Sequence, residues 1–406
     1  MTKIITDEKL VDEFLERGVE NIFPSKEVLK EKLMSGERLK IYQGFDPTGP
    51  YLHVGHAIGI RAMRVLQKLG HEVVFLVGDF TAKAGDPDKD KTRKMLTDEE
   101  IETNMAGWKE QAAQLIDFSG DNPVKFERNH KWLSKLNLED LIKLMSNITV
   151  QRMLERDLFE RRIKENDPIR LHEFIYPLMQ GYDGVAMEVD MEIGGADQIF
   201  NMLVGRDLSK HYLGKEKFVR ANKMMDAPDG RTMSKTKGNG INLADSAQEM
   251  YGKAMSYPDS AILSGFELLT EISMAEIEKI KKEMERGENP MKFKKDMAFE
   301  IVKMIKGEDA AQKAKEYFEK TIQKKEIPEE VVEVKLEKEE NIVDVLVLAD
   351  MAESKSDARR KIEQGGVSMN GEAIKDLKLI IGKDYDKQVL KVGKKDFRKI
   401  VFHPVE

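Results

Sequence analysis

A strand-to-helix passage near the start of the chain decides the predicted fold. It reads Tyr42-Gln43-Gly44-Phe45-Asp46-Pro47-Thr48-Gly49-Pro50 and, after Tyr51, Leu52-His53-Val54-Gly55-His56. A strand pattern over 38–42 precedes it, helical spacing of apolar residues follows over 55–69, and a second strand pattern covers 72–77. Strand, helix and strand in this order form the crossover unit of a parallel sheet. We therefore predict an α/β protein with a Rossmann-like, doubly wound parallel sheet.

The same passage is a candidate site for an anionic ligand. Open α/β sheets bind ligands beyond the carboxyl ends of their strands, where a helix amino terminus presents free N–H groups. Gly55 allows the backbone to approach a ligand closely, and His53 and His56 could donate hydrogen bonds to a phosphoryl group. The alternatives are that the two histidines cap the helix or bind a metal. Metal binding is disfavoured because the sequence offers no further close ligands.

Composition and charge exclude several classes of protein. The chain has 406 residues, of which 40% are apolar and 35% charged, with a net charge of −7 and no cysteine. The lack of cysteine excludes disulfides, thiolate zinc sites and cysteine nucleophiles, and it fits a cytoplasmic location. No apolar run is long enough for a signal peptide or a membrane span. Because the chain is mildly acidic, any contact with RNA must come from a local basic patch.

Changes of pattern divide the chain into four predicted segments. The α/β domain covers 1–225 and includes a mostly helical insertion at about 117–168, and a helical domain follows over 226–322. Residues 323–340 are rich in Glu and Lys and contain Pro328, which predicts a solvated linker. A small α+β domain covers 341–406, where 13 Lys and Arg against 11 Asp and Glu give +2, leaving −9 for the rest.

The small final domain carries the expected basic patch. A short helix with Ser356 as N-cap and Gly365 at its end is predicted. Its basic residues are Lys355, Arg359, Arg360 and Lys361. The following segment, 367–371, reads as a strand ending in an Asn-Gly turn. A solvated charged helix on a minor domain is the alternative interpretation.

Three further motifs bring polar groups together. Tyr176, Gln180 and Asp183 are spaced by four and three residues, which places them on one face of a helix, although a partly exposed face is the simpler reading. Gly194-Gly195-Ala196-Asp197-Gln198 follows a short strand and opens another helix, where Asp197 could act as N-cap. Residues 230–239 combine cations, hydroxyls and glycines, which is typical of a phosphate-gripping loop or of an ordinary surface turn.

These motifs resemble those of class I aminoacyl-tRNA synthetases. His53-Val54-Gly55-His56 resembles their HIGH signature, and residues 42–48 resemble the tyrosyl-tRNA synthetases in particular. Residues 176–183 and 194–198 are similar to the Tyr-x-x-x-Gln-x-x-Asp and GG-x-DQ motifs of that family. Residues 230–239 resemble the KMSKS signature, with Lys235 at the second lysine and Thr232 in place of the first. The continuation over 199–201 differs from the Trp-Gly-Asn of many bacterial members.

The resemblance implies a role for each motif residue. Catalytic roles are implied for His53, His56 and Lys235. Tyrosine-binding roles are implied for Tyr42, Asp86, Tyr176, Gln180, Asp183 and Gln198, with Tyr42 and Asp183 at the phenol and Asp86, Tyr176 and Gln180 at the α-ammonium group. Roles in holding ATP or its adenylate are implied for Gly44, Asp46, Thr48, Gly55, Gly195, Asp197, Met233, Ser234 and Lys235. Arg231 or Lys237 would have to replace the missing first lysine.

The resemblance also implies an activity and partners. The chain would activate L-tyrosine with ATP, releasing pyrophosphate, and then transfer the tyrosyl group to the 3′ end of tRNA(Tyr). Mg²⁺ would arrive with ATP, so no protein-ligated metal is expected. The final domain resembles S4-like RNA-binding modules, in which the four basic residues would contact tRNA phosphates while the helical domain reads the anticodon. Family analogy implies a cytoplasmic homodimer that does not contact a membrane.

Three other functions remain open on the sequence. A tryptophanyl enzyme is the nearest, but Tyr42, Gln180 and Asp183 disfavour it. A small-molecule adenylating ligase would have no use for the two domains that resemble tRNA-binding modules. A non-catalytic RNA-binding regulator is motivated by Thr232 in the phosphate loop, whereas the intact histidine signature and Lys235 weigh against it.

Overall fold

The computed structural model describes residues 3–86, 95–231, 233, 240–323, 331–393 and 396–403. These form two compact units, the first ending at Ala311 and the second beginning at Gln312. The strands are β1 (Val19–Phe23), β2 (Lys40–Phe45), β3 (Glu72–Val77), β4 (Lys125–Arg128), β5 (Met191–Gly195), β6 (Phe218–Asn222), β7 (Val332–Leu336), β8 (Glu340–Asn341), β9 (Val367–Met369), β10 (Glu372–Ala373), β11 (Ile380–Ile381), β12 (Val389–Val392) and β13 (Asp396–Phe402).

Helices make up most of the remaining regular structure. They are α1 (Glu8–Glu16), α2 (Lys26–Met34), α3 (Val54–Lys68), α4 (Thr81–Ala84), α5 (Asp98–Met105), α6 (Trp108–Ala112), α7 (His130–Leu133), α8 (Leu138–Met145), α9 (Val150–Leu154), α10 (Asp157–Lys164), α11 (Tyr176–Ala186), α12 (Ile199–Leu213), α13 (Ala247–Ala254), α14 (Ile262–Leu269), α15 (Met274–Glu285), α16 (Pro290–Lys306), α17 (Glu308–Phe318), α18 (Ile342–Leu348) and α19 (Lys355–Glu363). Within the described ranges, no helix has the length and apolar character needed to cross a bilayer.

The predicted doubly wound sheet is confirmed. Its strand order is β1-β6-β5-β2-β3-β4, and every neighbouring pair is parallel except β1 with β6. The chain moves from β2 toward one edge through β3 and from β5 toward the other through β6. Side chains of β3 from Val73 to Val77 are at most 1% exposed, as expected of a strand covered on both faces. Because the strand order reverses between β2 and β5, a crevice opens at the carboxyl ends of these two strands.

Two features of this sheet differ from the prediction. β2 extends to Phe45, three residues beyond the predicted strand, because Gln43 to Phe45 continue the parallel pairing with β3. β4 also lies in the sheet, paired with β3, so the insertion predicted to begin near residue 117 is wrong at its start. The helical segment begins after β4, with α7. Periodicity missed β4 because Lys125-Phe126-Glu127-Arg128 is short and charged.

Two buried arginines, Arg17 after α1 and Arg61 in α3, join the α/β part of the chain to α14. We call this pair the arginine brace. Arg17 donates from Nη2 to the carbonyl oxygens of Phe266 (2.9 Å) and Thr270 (2.6 Å). Arg61, in the middle of α3, donates to the carbonyls of Glu267 and Thr270. The last carbonyls of a helix have no partner within it and carry partial negative charge, so cations satisfy them well. The end of α14 is therefore fastened to the helix that His53 begins.

The second unit is a small α+β fold. Its five-stranded sheet has the order β10-β9-β12-β13-β7, and a separate pair joins β8 to β11. β7 pairs with β13, and its Val334 and Leu336 side chains are buried, so the predicted linker over 323–340 is wrong for this strand. Residues 324–330 lie outside the described ranges. Asn370 and Gly371 both have positive φ (46° and 92°), which confirms the predicted turn.

The basic helix α19 begins earlier than predicted. Its N-cap is Ser354, whose side chain accepts a hydrogen bond from the N–H of Asp357. Ser356 lies within the first turn, so the prediction that it caps the helix is wrong. Both serines suit an N-cap, and the sequence offered no way to choose between them. Gly365, with φ of 72°, follows the helix as predicted.

His71 is expected to make stability depend on pH. It is fully buried, its Nδ1 accepts a hydrogen bond from the N–H of Leu39 (3.2 Å), and burial lowers its pKa from 6.5 to about 4. The folded chain therefore holds a neutral ring where the unfolded chain binds a proton. Stability should be complete above about pH 6.5 and fall toward pH 4, by up to roughly 3 kcal/mol.

The measurement is the free energy of urea unfolding between about pH 7 and pH 4.5. His71→Asn keeps an acceptor for the Leu39 N–H but does not titrate, so its stability should change less over this interval than that of the native chain. Parallel curves for the two proteins would contradict this assignment.

Close packing of α11 against α12 depends on Gly181. A Cβ atom there would lie 2.9 Å from Cα and 3.1 Å from N of Gly205, which is backbone that cannot turn aside. Gly181→Ala should therefore destabilise the fold by about 1–3 kcal/mol. The control is Gly252→Ala in α13, where a Cβ meets nothing within 4 Å; it should stabilise by about 0.5–1 kcal/mol. Equal effects in a denaturant titration would refute this.

Candidate active site

A cavity of about 280 Å³ lies at the carboxyl ends of β2 and β5. It is lined by most of the residues that the sequence singled out. These are Tyr42, Gly44, Asp46, Thr48, His53, Gly55, His56, Asp86, Tyr176, Gln180, Asp183, Gly195, Asp197, Gln198 and Met233. Ser234 and Lys235 lie outside the described residues, as do Thr232 and Lys237. Motifs that are far apart in the chain thus share one site.

The inner end of the cavity holds Tyr42 and Asp183. Tyr42 is 1% exposed and Asp183 is 3% exposed. Asp183 accepts hydrogen bonds from Nε1 of Trp132 (2.7 Å) and Nδ2 of Asn129 (3.1 Å). Burial raises the pKa of Asp183 well above its usual range, and the two donors only partly oppose that rise. This end is suited to a polar group that a buried carboxylate can accept from.

Asp46 links two motifs that were expected to serve different ligands. One carboxylate oxygen accepts from the hydroxyl of Thr81 and the other from the hydroxyl of Tyr176, both at 2.8 Å. Asp46 directly follows β2, whereas Tyr176 is the first residue of α11. The hydrogen bond between them therefore holds the passage that follows β2 against the helix that carries Gln180.

A second acidic group lies at the mouth of the cavity. Asp86 accepts from Nε2 of Gln198 (2.7 Å) and forms an ion pair with Nη2 of Arg156 (2.9 Å). Both members of this pair have side chains at most 10% exposed. Asp197 lies beside Gln198, and burial raises its pKa above the ordinary value. Asp197 is in a 3₁₀ turn before α12 and does not cap that helix, so the capping interpretation is wrong for it.

The two histidines at the start of α3 have their rings in contact, tilted by 39°. Their ring centroids lie 3.8 Å apart, and Nδ1 of His56 accepts from the backbone N–H of His53 (3.0 Å). The predicted capping role is therefore real for His56. A neutral imidazole that accepts at Nδ1 carries its proton on Nε2, so His56 keeps a ring N–H donor in addition to the cap.

The segment after residues 234–239 is fastened to the histidine passage. The N–H of Val54 donates to the carbonyl of Ile241 (2.9 Å), and the N–H of Leu243 donates to the carbonyl of Leu52 (2.8 Å). Met233, just before that segment, lies 3.6 Å from where a Cβ on Gly55 would be. The described residues on either side of 234–239 therefore lie at the start of α3.

Comparison with known proteins decides the family. Residues 34–323 match the family model "tRNA synthetases class I (W and Y)", and residues 321–400 match the "Tyrosine--tRNA ligase SYY-like C-terminal domain". The chain is 43% identical over 389 residues to a tyrosine–tRNA ligase from Thermotoga maritima, covering 95% of this chain and 96% of the relative. The chain belongs to the tyrosyl-tRNA synthetase family.

Other relatives agree with this family. A tyrosine–tRNA ligase from Aquifex aeolicus is 42% identical over 390 residues, covering 95% of this chain and 97% of the relative. The truncated mitochondrial tyrosyl-tRNA synthetase of Aspergillus nidulans has a TM-score of 0.64 at 24% identity, over 76% of this chain and 92% of that one. That structural likeness supports the fold alone. The full-length relatives favour the tyrosyl over the tryptophanyl branch.

The basic residues of α19 differ in how strongly they are engaged. Lys355 and Arg360 are 64% and 67% exposed and pair with Asp344 and Asp357. Arg359 is exposed. Lys361, by contrast, donates to the carbonyl of Met351 and pairs with Asp357. Lys361 therefore contributes to the helix itself, while the other three present their charges at the surface.

Sequence reasoning missed the partners of the motif residues in this tyrosyl-tRNA synthetase family member. Trp132, Asn129 and Thr81 hold the acidic groups of the cavity, but they come from segments with no recognisable motif. Arg156 lies in a charged helical stretch whose pattern does not predict which residues face the cavity. Glu192 was the one that the sequence could have indicated, because it is a carboxylate inside the otherwise apolar strand β5.

Proposed function

We propose that the cavity binds L-tyrosine and ATP side by side, and that its residues carry the roles implied by the motifs. The phenol would lie between Tyr42 and Asp183, with its hydroxyl donating to the Asp183 carboxylate. The observation that carries this proposal is that both groups are buried at the same inner end of the cavity. Phenylalanine has no hydroxyl to donate to Asp183, so it would displace water from these buried polar groups without replacing the hydrogen bond, which disfavours it.

The α-ammonium group of tyrosine binds among Asp86, Tyr176 and Gln180. Asp86 supplies the negative charge, and Gln198 holds it from the other side. Arg156 already pairs with Asp86, so the bound ammonium shares that carboxylate with a buried guanidinium.

ATP occupies the outer part of the cavity. Its phosphates contact His53, His56 and the start of α3, where backbone N–H groups and the histidine rings can donate. The remaining adenylate contacts are assigned to Gly44, Asp46, Thr48, Gly55, Gly195, Asp197 and Met233. Ser234 and Lys235 complete the phosphate contacts from the loop outside the described residues. Mg²⁺ arrives bound to the triphosphate and water, because it loses its water ligands reluctantly.

The first reaction needs placement and charge stabilisation rather than a general base. The tyrosine carboxylate is ionised near neutral pH and attacks the α-phosphorus, forming the carboxylate–phosphorus bond as the bond to pyrophosphate breaks. His53, His56 and Lys235 stabilise the charge on phosphate oxygens during the transfer. In the second reaction, a ribose hydroxyl at the 3′ end of tRNA(Tyr) attacks the tyrosyl carbonyl, and AMP leaves.

The tRNA is held by the parts of the chain outside the sheet. The second unit acts as an S4-like module in which Lys355, Arg359 and Arg360 contact phosphates, with Lys361 supporting the helix. The exposure of the first three is what supports this assignment. Helices α13–α16 read the anticodon. The cytoplasm is the proposed location, since both ATP and tRNA are found there.

The chain pairs with a second copy of itself through α8. Leu138, Ile142 and Met145 lie on one face of this helix and are 72%, 60% and 44% exposed. A row of large apolar side chains in water is unusual for a surface that stays uncovered. A second copy is the proposed occupant because the resemblance implies a homodimer.

The decisive experiment for the activity is exchange of labelled pyrophosphate into ATP with single amino acids. Tyrosine should support exchange. Asp183→Asn should reduce the preference for tyrosine over phenylalanine, measured as the ratio of kcat/KM values, by roughly ten- to a hundredfold, because a hydrogen bond to a charged group contributes about 1.5–3 kcal/mol. Asp207→Asn, an exposed carboxylate on α12, is the control and should leave the ratio unchanged.

Other outcomes of the exchange experiment would point to other functions. Exchange driven only by tryptophan would identify a tryptophanyl enzyme. No exchange with any amino acid, together with retained binding of tRNA, would identify a non-catalytic RNA-binding protein. An unchanged preference in Asp183→Asn would remove this carboxylate from the phenol site.

The pairing surface is tested by the mass of the chain in solution. Leu138→Glu combined with Ile142→Glu places two charges on the exposed face of α8 and should convert the dimer to a monomer in light scattering. Val28→Glu, at an isolated apolar residue of similar exposure (45%), should leave the mass unchanged. A native chain that is already monomeric, or a double variant that stays dimeric, would disprove this surface.

A further inference from the structure

A chain of hydrogen bonds runs beneath the proposed tyrosine site. It begins at Lys217, whose ammonium group donates to Oε2 of Glu192. Oε1 of Glu192 accepts from Nε2 of Gln180 (3.0 Å), and Oε1 of Gln180 accepts from Nδ2 of Asn201 (2.9 Å). Asn201 also donates to Oε1 of Gln198 (3.0 Å). The network therefore reaches two glutamines of the cavity, Gln180 and Gln198, from one buried ion pair.

The chemistry of the ion pair leaves one orientation for each amide. An ammonium group only donates, and a carboxylate paired with it only accepts. Gln180 must therefore turn its NH₂ group toward Glu192, which leaves its oxygen on the side of Asn201, and Gln180 is one of the residues that line the cavity. With Asn201 donating to Gln198 as well, the NH₂ group of Gln198 is directed to Asp86 at 2.7 Å. The orientation of each amide group is therefore set by the Lys217–Glu192 ion pair.

The fold makes space for this pair at some expense. Lys217 and Glu192 have side chains 0% and 2% exposed. A Cβ on Gly205 would lie 2.5 Å from Nζ of Lys217, and one on Gly184 would lie 3.3 Å from it. Removing two charges from water is costly, and a well-packed apolar pair is often as stable. Stability alone does not explain why a lysine passes between α11 and α12 to reach a strand.

Glu192 is also next to the phenol end of the cavity. It is the direct neighbour of Tyr42 across the β2–β5 pairing, and Nζ of Lys217 lies 5.9 Å from the centre of the Tyr42 ring. Burial, and after it the Glu192 carboxylate, raises the pKa of the Tyr42 hydroxyl. The same ion pair thus borders the groups proposed for both ends of the substrate.

We propose that Glu192, held by Lys217, is a positioning residue that presents the oxygen of Gln180, and not its NH₂ group, to the α-ammonium group of tyrosine. This rests on the proposed function of the cavity. If Gln180 turned over, its NH₂ group would face the ammonium and repel it. In this proposal Glu192 acts through its hydrogen bond to the Gln180 amide.

The test replaces the ion pair by a neutral pair of similar shape, Glu192→Gln with Lys217→Met. In this double variant no charge is left unpaired, but the amide of residue 180 is free to adopt either orientation. KM for tyrosine in pyrophosphate exchange should rise by roughly tenfold or more with kcat little changed, because one hydrogen bond to a charged ligand is weakened. Thermal unfolding checks that the variant is folded.

A ligand without the ammonium group separates positioning from general damage. Desamino-tyrosine, 3-(4-hydroxyphenyl)propanoate, should inhibit exchange with the same inhibition constant in the native chain and the double variant. A matched control, Lys40→Met with Glu72→Gln, removes an ion pair at the opposite end of β2 and β3 and should change neither constant.

The outcomes are distinguishable. An unchanged KM for tyrosine in the folded double variant, or an equal loss for tyrosine and desamino-tyrosine, would overturn the positioning role while leaving tyrosine activation intact. Absence of tyrosine-dependent exchange in the native chain would instead overturn the proposed function of the cavity.

Discussion

The cleft depends on one feature of the sheet: the order in which strands are added reverses between β2 and β5. The two strands are parallel neighbours, but the chain continues from β2 to β3 on one side and from β5 to β6 on the other, so these two connections lead away from the gap between their carboxyl ends. Glycines at those ends keep the space open. At Gly195, for example, a Cβ would collide with the carboxylate of Asp197, and both residues line the cavity. The first turns after both strands then supply the polar groups that face the gap.

Buried acidic groups give this cleft its electrostatic character. Asp183 has a raised pKa because burial, and to a lesser extent Glu192 and Asp46, oppose its ionisation. Each carboxylate is provided with donors from the protein, including Trp132 for Asp183. A cationic amine and a phenolic hydroxyl are the ligand groups that relieve such an environment, whereas the histidine end of the cleft suits phosphate. The two ends therefore select different chemistry within a short distance.

The sequence pattern predicted the elements that depend on interactions between residues close together in the chain. The β-branched run of β3 and the Asn370–Gly371 turn depend on neighbouring residues, and both were found. The strands β4 and β7 were missed because their charged sequences become strands only through pairing with distant partners. The family resemblance identified Gln180 and Asp183 as site residues. Their separation in sequence from Glu192 and Trp132 gave no sign that these residues would be their partners. Those contacts exist only once α11 has packed on the sheet.

The arginine brace has a consequence for how the first unit can be divided. A boundary near residue 225 separates the chain by pattern, but Arg17 and Arg61 bond to carbonyls at the end of α14, on the far side of that boundary. A fragment that stopped there would keep two buried guanidinium groups and lose the acceptors that make their burial tolerable. The α/β part and the helices behind it are therefore a single thermodynamic unit, and neither half is a self-sufficient module.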